Sequence, residues 1–269
     1  MRQYKLFILL IQVVVSQLHA GFERSAQPTA LFARAFSGVA FASESNVWLN
    51  PATVSGVSSF RSTAFYSPSP FQLPQLTNYG IQIADDLGIM KGSFSLSSIG
   101  FSLYRETFGS LTAAFSGTEN FSVGLTLSLY HLSVHNYGNA SKIGVDIGSI
   151  YTVTQEFNIG ASITNINGAS FGEDDDIPRI LIAGLSYHFL ENAQLNVDIV
   201  KDVRYEATFR AGIEFSPHEI FILRSGVQGE PSRLFGGIGI RIFPFIVDYG
   251  AATHDDLGLT HSIGITFVP

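Results

Sequence analysis

The sequence predicts an all-β fold, a transmembrane antiparallel β-barrel of about 12 to 14 strands preceded by a short N-terminal helical plug. Three observations carry this. Only 14% of the 269 residues are charged while 46% are apolar, against roughly a quarter charged in soluble domains. The longest apolar run, residues 6–15, is interrupted by Gln12 and falls far short of the ~20 residues that a spanning helix needs. The apolar residues are instead spread at short intervals, and 23 Phe, 10 Tyr and 26 Gly are types that populate strands, interfacial belts and tight turns.

Arg2 and Lys5 precede the apolar run, and a polar stretch ending at Ala20 follows it. That order predicts a cleavable signal peptide over residues 1–20. Its removal takes away two of the 15 Lys and Arg and none of the 22 Asp and Glu. A chain this acidic excludes nucleic acid as a partner, because binding there requires clustered cations that displace counterions. With no cysteine, an exported chain draws its stability from burial and strand pairing alone. The predicted division is signal peptide 1–20, plug 21–56 and barrel 57–269.

Four segments carry the strand assignment. Phe121, Val123, Leu125, Leu127 and Leu129 alternate with Ser122, Gly124, Thr126 and Ser128. Ile143, Val145, Ile147, Tyr151 and Val153 alternate with Lys142, Gly144, Asp146, Gly148, Thr152 and Thr154, Ser149 and Ile150 breaking the pattern once. Ala193, Leu195, Val197 and Ile199 oppose Gln194, Asn196 and Asp198, and Ala207, Phe209, Ala211, Ile213 and Phe215 oppose Thr208, Arg210, Gly212, Glu214 and Ser216. Period two is the signature of a strand with one apolar face. Further segments at 57–66, 78–84, 92–104, 107–116, 157–165, 179–189, 219–226, 233–242, 244–252 and 259–268 bring the count to fourteen.

What covers the apolar face decides the architecture. A soluble sandwich commonly carries charge on its outward face, whereas these polar positions are mainly Ser, Thr, Gly and Asn. Strands of about ten residues also match a tilted membrane crossing. A secreted β-sandwich binding module is the alternative that alternation alone leaves open.

Residues 21–56 lack clear alternation. Ser43 followed by Glu44 to Leu49 predicts a short helix with Ser43 as N-cap, ended by Pro51, which disfavours helical geometry at Asn50. Such a segment, rich in Ala and Phe, has the barrel lumen to enter. Arg34, Trp48, Asn50 and Pro51 are its candidate plug residues, with Arg34 its cation.

The stretch Ala33-Arg34-Ala35-Phe36-Ser37-Gly38-Val39-Ala40, with the short helix and Asn50-Pro51-Ala52 after it, resembles the N-terminal signature of the PorV/PorQ family of outer-membrane barrels, relatives of the FadL long-chain fatty-acid channels. Ile177-Pro178-Arg179, Phe209-Arg210-Ala211-Gly212-Ile213-Glu214-Phe215 and Asp255-Asp256-Leu257-Gly258-Leu259-Thr260-His261-Ser262-Ile263 are similar to that family's final hairpins. The resemblance implies a place in the bacterial outer membrane, an inserted N-terminal segment, and a role in supporting protein secretion or passing hydrophobic small molecules. Membrane lipid, secretion-system proteins or secreted cargo, and hydrophobic small molecules are the partners it implies.

Few constellations carry chemistry. Gly168-Ala169-Ser170-Phe171-Gly172 fits G-x-S-x-G, but a serine hydrolase needs a helix after the turn, and here Glu173-Asp174-Asp175-Asp176-Ile177-Pro178 follows. That acidic run, like Asp85-Asp86-Leu87-Gly88, reads as solvated turn chemistry. His131 and His135 on one strand stand about 13 Å apart, too far for one metal ion. No catalytic residue, metal or cofactor is expected, and an outer-membrane lipase-type barrel is only the third reading. The informative charges are Arg105, Asp146, Asp198, Arg204, Arg210, Glu214, Arg224, Arg241 and Asp248. They are read as facing the lumen and pairing there with one another and with the plug, since a charge facing lipid at mid-depth costs about 2–4 kcal/mol.

Overall fold

The computed structural model describes Phe22 and residues 26–172, 176–254 and 257–269. The predicted signal peptide lies outside them, as do residues 173–175 and the Asp255-Asp256 pair. Among the described residues no helix is long and apolar enough to cross a membrane.

Fourteen strands form the body: β1 (Arg61–Ser67), β2 (Asn78–Asp86), β3 (Lys91–Gly100), β4 (Tyr104–Thr118), β5 (Phe121–Val134), β6 (Gly138–Thr152), β7 (Phe157–Ile163), β8 (Ile180–Leu190), β9 (Ala193–Asp202), β10 (Thr208–His218), β11 (Phe221–Gln228), β12 (Arg233–Ile242), β13 (Phe245–His254) and β14 (Gly258–Phe267). Each pairs antiparallel with its neighbours in sequence, and β1 pairs with β14 to close the barrel. Closure follows from the solvent: an open sheet edge in hydrocarbon leaves backbone donors and acceptors unpaired at several kcal/mol each.

The apolar face points outward. On β5, Leu125, Leu127 and Leu129 are about half exposed while Thr126 and Ser128 are buried. The same holds for Phe209 and Ile199 against Asp198 and Asn196. A girdle of Leu, Ile, Val and Phe around a ring whose polar faces turn inward is the inverse of a soluble protein, and hydrocarbon is what satisfies it. Ser149 and Ile150 do not break the alternation of β6. The register with β5 runs through both, and Ile150 is an apolar side chain buried on the lumen side.

The two ends differ. Connections 119–120, 191–192, 219–220 and 243–244 are two-residue turns, whereas 68–77 and 164–179 at the opposite end are long. Barrels of this kind place short turns in the periplasm and long loops outside. Ser62 and Phe267, paired at the ends of β1 and β14, therefore lie toward the periplasm.

The N-terminal segment lies within the ring. Helix α1 (Thr29–Phe32) packs on β12, β13 and β14, and a 3-10 turn over Pro51–Gly56 packs on β3 to β6. The helix predicted after Ser43 is a five-residue 3-10 turn, Glu44–Trp48, and the Ser43 side chain does not cap it. Its hydroxyl goes to Glu44 and Ser45 instead. Pro51 opens the second turn as well as ending the first, with Asn50 as its N-cap through a bond from the Ala52 N–H at 2.9 Å. Glycine makes room for this segment. A Cβ on Gly212 would meet Arg34 and Ser37, one on Gly226 Arg34 and Ala35, one on Gly124 Pro51 and one on Gly237 Ala33. These positions fall on the polar face of their strands because the backbone of the segment occupies the space where side chains would stand.

Candidate functional site

Three groups of contacts fix the segment in the lumen. The Asp198 carboxylate accepts the backbone N–H groups of Gly38 at 2.7 Å and Val39 at 3.1 Å. The Asn50 side-chain amide donates to Val39 O at 2.7 Å and to Ser149 O at 3.0 Å, joining segment to wall. Arg34, fully buried, donates to Asn46 Oδ1 at 2.9 Å and to Ser45 Oγ at 3.2 Å, lies over the Phe41 ring, and approaches Glu214 at 3.7 Å. Glu214 in turn accepts from Arg224 at 2.7 Å, and Arg224 reaches Asp248 at 2.5 Å. Buried ions persist only when paired in this way.

These ions line a cavity of about 520 Å³ that includes Arg34, Glu44, Arg61, Glu214, Arg224 and Arg241 and opens toward the periplasmic end. Arg241 is held at its edge by Glu219 O and Ser216 Oγ. Arg210 stands opposite Asp198 in register and over the Phe36 ring. Asp146 serves a different part of the wall, accepting from Ser128 Oγ at 2.8 Å and from the Asn165 N–H at 2.7 Å.

Two of the predicted lumen charges are elsewhere. Arg105 is exposed on the outward face of β4 near its outer end, because the neighbouring Glu106 takes the inward position. Arg204 sits beyond the last residue of β9, in the connection to β10, where it pairs with Asp202 at 2.8 Å and caps the hairpin. Ser170 of the G-x-S-x-G match donates to Gly172 O at 2.5 Å, and His131 bonds Ser141 at the outer rim.

The feature that charge and motif reading missed is a file of aromatic rings. Phe171 stacks on Phe22 at 5.7 Å, Phe22 meets Tyr130 edge-on at 5.1 Å, and Tyr130, Phe108, Trp48 and Phe65 follow at 5.3, 5.4 and 5.9 Å between centroids. Phe65, Phe108 and Tyr130 fall on one cross-strand row, linked through Gly80 and Ser97. Gly80 leaves space for the Phe65 ring and Gly144 for that of Tyr130. Trp48 donates its indole N–H to Gln82 at 2.7 Å, so the ring keeps a fixed attitude while its polar atom is satisfied. The signal was parity: Phe65 shares its face with Thr63 and Ser67, Phe108 with Ser110, and Tyr130 with Ser128. Large rings on a hydroxyl-bearing face belong to the lumen.

Neither a protein-family model nor a curated protein sequence matches the chain. Solved structures do. The chain is similar to the toluene transporter TbuX of Ralstonia pickettii, with 13% identity, 92% of this chain and 100% of that one covered, and a TM-score of 0.68. The CymD monoaromatic hydrocarbon channel follows with 14% identity, 93% and 99% coverage and a TM-score of 0.66. A FadL homologue of Pseudomonas aeruginosa has 12% identity, 92% and 99% coverage and a TM-score of 0.63. At such identities the likeness is one of fold, and it makes this chain a closed fourteen-strand barrel of the kind found among bacterial outer-membrane channels.

Proposed function

We propose that the barrel passes hydrophobic small molecules, of the size of a single aromatic ring, across the outer membrane. The observation that carries this reading is the aromatic file from Phe171 to Phe65, set in a lumen that also carries many Ser, Thr and Gly and the paired charges. Aromatic faces and edges offer a ring-shaped solute successive contacts of similar strength, and transfer from one to the next needs no desolvation of polar groups. The segment that contributes Phe22 and Trp48 to the file stands in the same lumen, so passage involves its displacement. The fold neighbours described as a toluene transporter and a monoaromatic hydrocarbon channel support the size class.

The chain has a single tryptophan, and it is the fifth of the six rings in the file, between Phe108 and Phe65. Titrating the detergent-solubilised barrel with toluene is expected to shift and quench Trp48 emission saturably, and proteoliposomes are expected to take up toluene faster than protein-free vesicles. Uptake equal to that of empty vesicles, with unchanged emission, overturns the reading. Support of protein secretion is the second reading, favoured by the PorV/PorQ-like stretch Ala33 to Ala40, which supplies the residues that Asp198 and Glu214 hold. Recovery of secreted proteins on the tagged barrel, together with absent uptake, would replace the first reading with it.

A further inference from the structure

Strand β6 is fifteen residues long, and β5 pairs with it along its whole length, from Tyr151 to Gly138. On its other side β7 pairs only with Ile147 to Thr152. The connection 164–179 continues the seam for a short distance. The Ile166 N–H donates to Val145 O at 2.8 Å. The Asn167 side chain then imitates a strand, its Oδ1 accepting the Val145 N–H at 2.9 Å and its Nδ2 donating to Ile143 O at 2.9 Å. Beyond this the imitation stops. Alternate residues of an antiparallel strand send both backbone groups to the same side, so the Ile143 N–H and the N–H and C=O of Ser141 and Asn139 face the open side. They meet no partner among the described residues.

This edge stands in water. The outward apolar run ends at Ile143 on β6 and Leu129 on β5, and the next outward positions are Ser141, Asn139, His131 and Ser133. Fifteen residues at about 3.3 Å each, tilted by about 40°, rise well past an apolar band about 25 Å tall. An uncovered edge with its pairing groups aligned is a template for strand addition, and proteins that do not use one protect it with Pro, charge or a bulge. Residues 139–143 contain no Pro and no bulge against β5, and their one charge, Lys142, stands on the inward face.

We propose that the open edge of β6, residues 139–143, docks an extended segment of another protein outside the cell as an added β-strand. A second copy of the barrel does not fit. Two copies in one membrane point the same way about a two-fold axis along the membrane normal, so their tilted β6 edges would cross at an angle and could pair only in the parallel sense. In a parallel ladder each bonded residue faces the gap between two bonded residues of its partner, a stagger that such an axis does not reproduce. A segment from another chain is free to run antiparallel. Its inward side chains would lie beside Ala140 and Lys142, and the exposed Lys142 has no acidic partner among the described residues. An acidic residue on an otherwise alternating segment is therefore the chemistry that fits.

The test uses a fluorescein-labelled eight-residue peptide of alternating Thr and Val with one inward Glu, and the full chain in detergent micelles, read by fluorescence anisotropy. Saturable binding is expected. It should fall at least tenfold when the peptide amides that face β6 are N-methylated, a control that leaves the barrel untouched. Ser141→Pro removes an N–H from the open side while the pairing with β5 is kept, and is expected to give the same loss without changing the heat-induced gel shift of the folded barrel. Lys142→Glu should weaken the Glu peptide and strengthen its Lys counterpart. Absence of saturable binding, or binding indifferent to N-methylation, overturns the proposal. So does a peptide that competes with dimerisation of the barrel. None of these outcomes bears on toluene uptake, which is read separately.

Discussion

The carboxylate of Asp198, midway along β9, accepts the backbone N–H of Gly38 at 2.7 Å, tying wall and inserted segment together across 160 residues of sequence. The same oxygen takes the Val39 N–H. Replacing Asp198 by Ala strands two buried donors, each worth about 1–3 kcal/mol. Asp198→Ala is expected to lower the urea midpoint of the micelle-bound barrel and to raise single-channel conductance in planar bilayers. Asp198→Asn, which keeps one acceptor, should fall between that variant and the parent chain.

Arg224 joins Glu214 and Asp248. Removing one member of a buried ion group leaves an uncompensated charge, at a cost of about 3–5 kcal/mol. Arg224→Met should therefore lower the temperature at which the folded band disappears on a gel. The double variant Arg224→Met with Asp248→Leu should recover most of that loss, leaving Glu214 to Arg34. A double variant no better than the single one would mean that the ions contribute by shape rather than by charge.

Gly212 and Gly117 offer a matched comparison. A Cβ at Gly212 would overlap Arg34 and Ser37 of the segment, while nothing lies within 4 Å of the corresponding point on Gly117. Gly212→Val is expected to make residues 26–57 susceptible to added protease and to open a steady conductance. Gly117→Val should leave both unchanged.

Phe108 touches Tyr130 on one side and Trp48 on the other. Phe108→Ala breaks the aromatic file without disturbing the Trp48 bond to Gln82. The toluene-dependent change in Trp48 emission is expected to require at least tenfold more toluene in that variant, the equivalent of about 1.4 kcal/mol.

The strands were legible because hydrocarbon enforces period two over ten residues: Leu125, Val197 and Phe209 each sit in a run whose opposite face is polar. The apparent fault at Ser149 and Ile150 came from treating every inward position as polar, when Ile150 is buried on the lumen side. Asp198, Arg210, Glu214, Arg224 and Asp248 were legible by parity within their strands. Arg105 was not, since one step separates it from Glu106 and either could have faced inward at the end of β4. Arg204 is not legible by parity either, because β9 ends at Asp202 and the alternation of the strand does not extend to it. The ring file was hidden for a different reason. Phe65, Phe108 and Tyr130 are far apart in sequence and meet only through the cross-strand register, which no single segment reveals.

The glycines that cradle the segment carry a cost for the cell. A wall with no side chains at Gly124, Gly212, Gly226 and Gly237 fits only when Ala33, Arg34, Ala35 and Pro51 fill the hollow, so a barrel that lost that filling would become a water-filled leak. The barrier that keeps bulky antibiotics out of such a cell would then fail at each copy of the protein, and selection on residues 29–52 would act through drug sensitivity even where no nutrient is at stake.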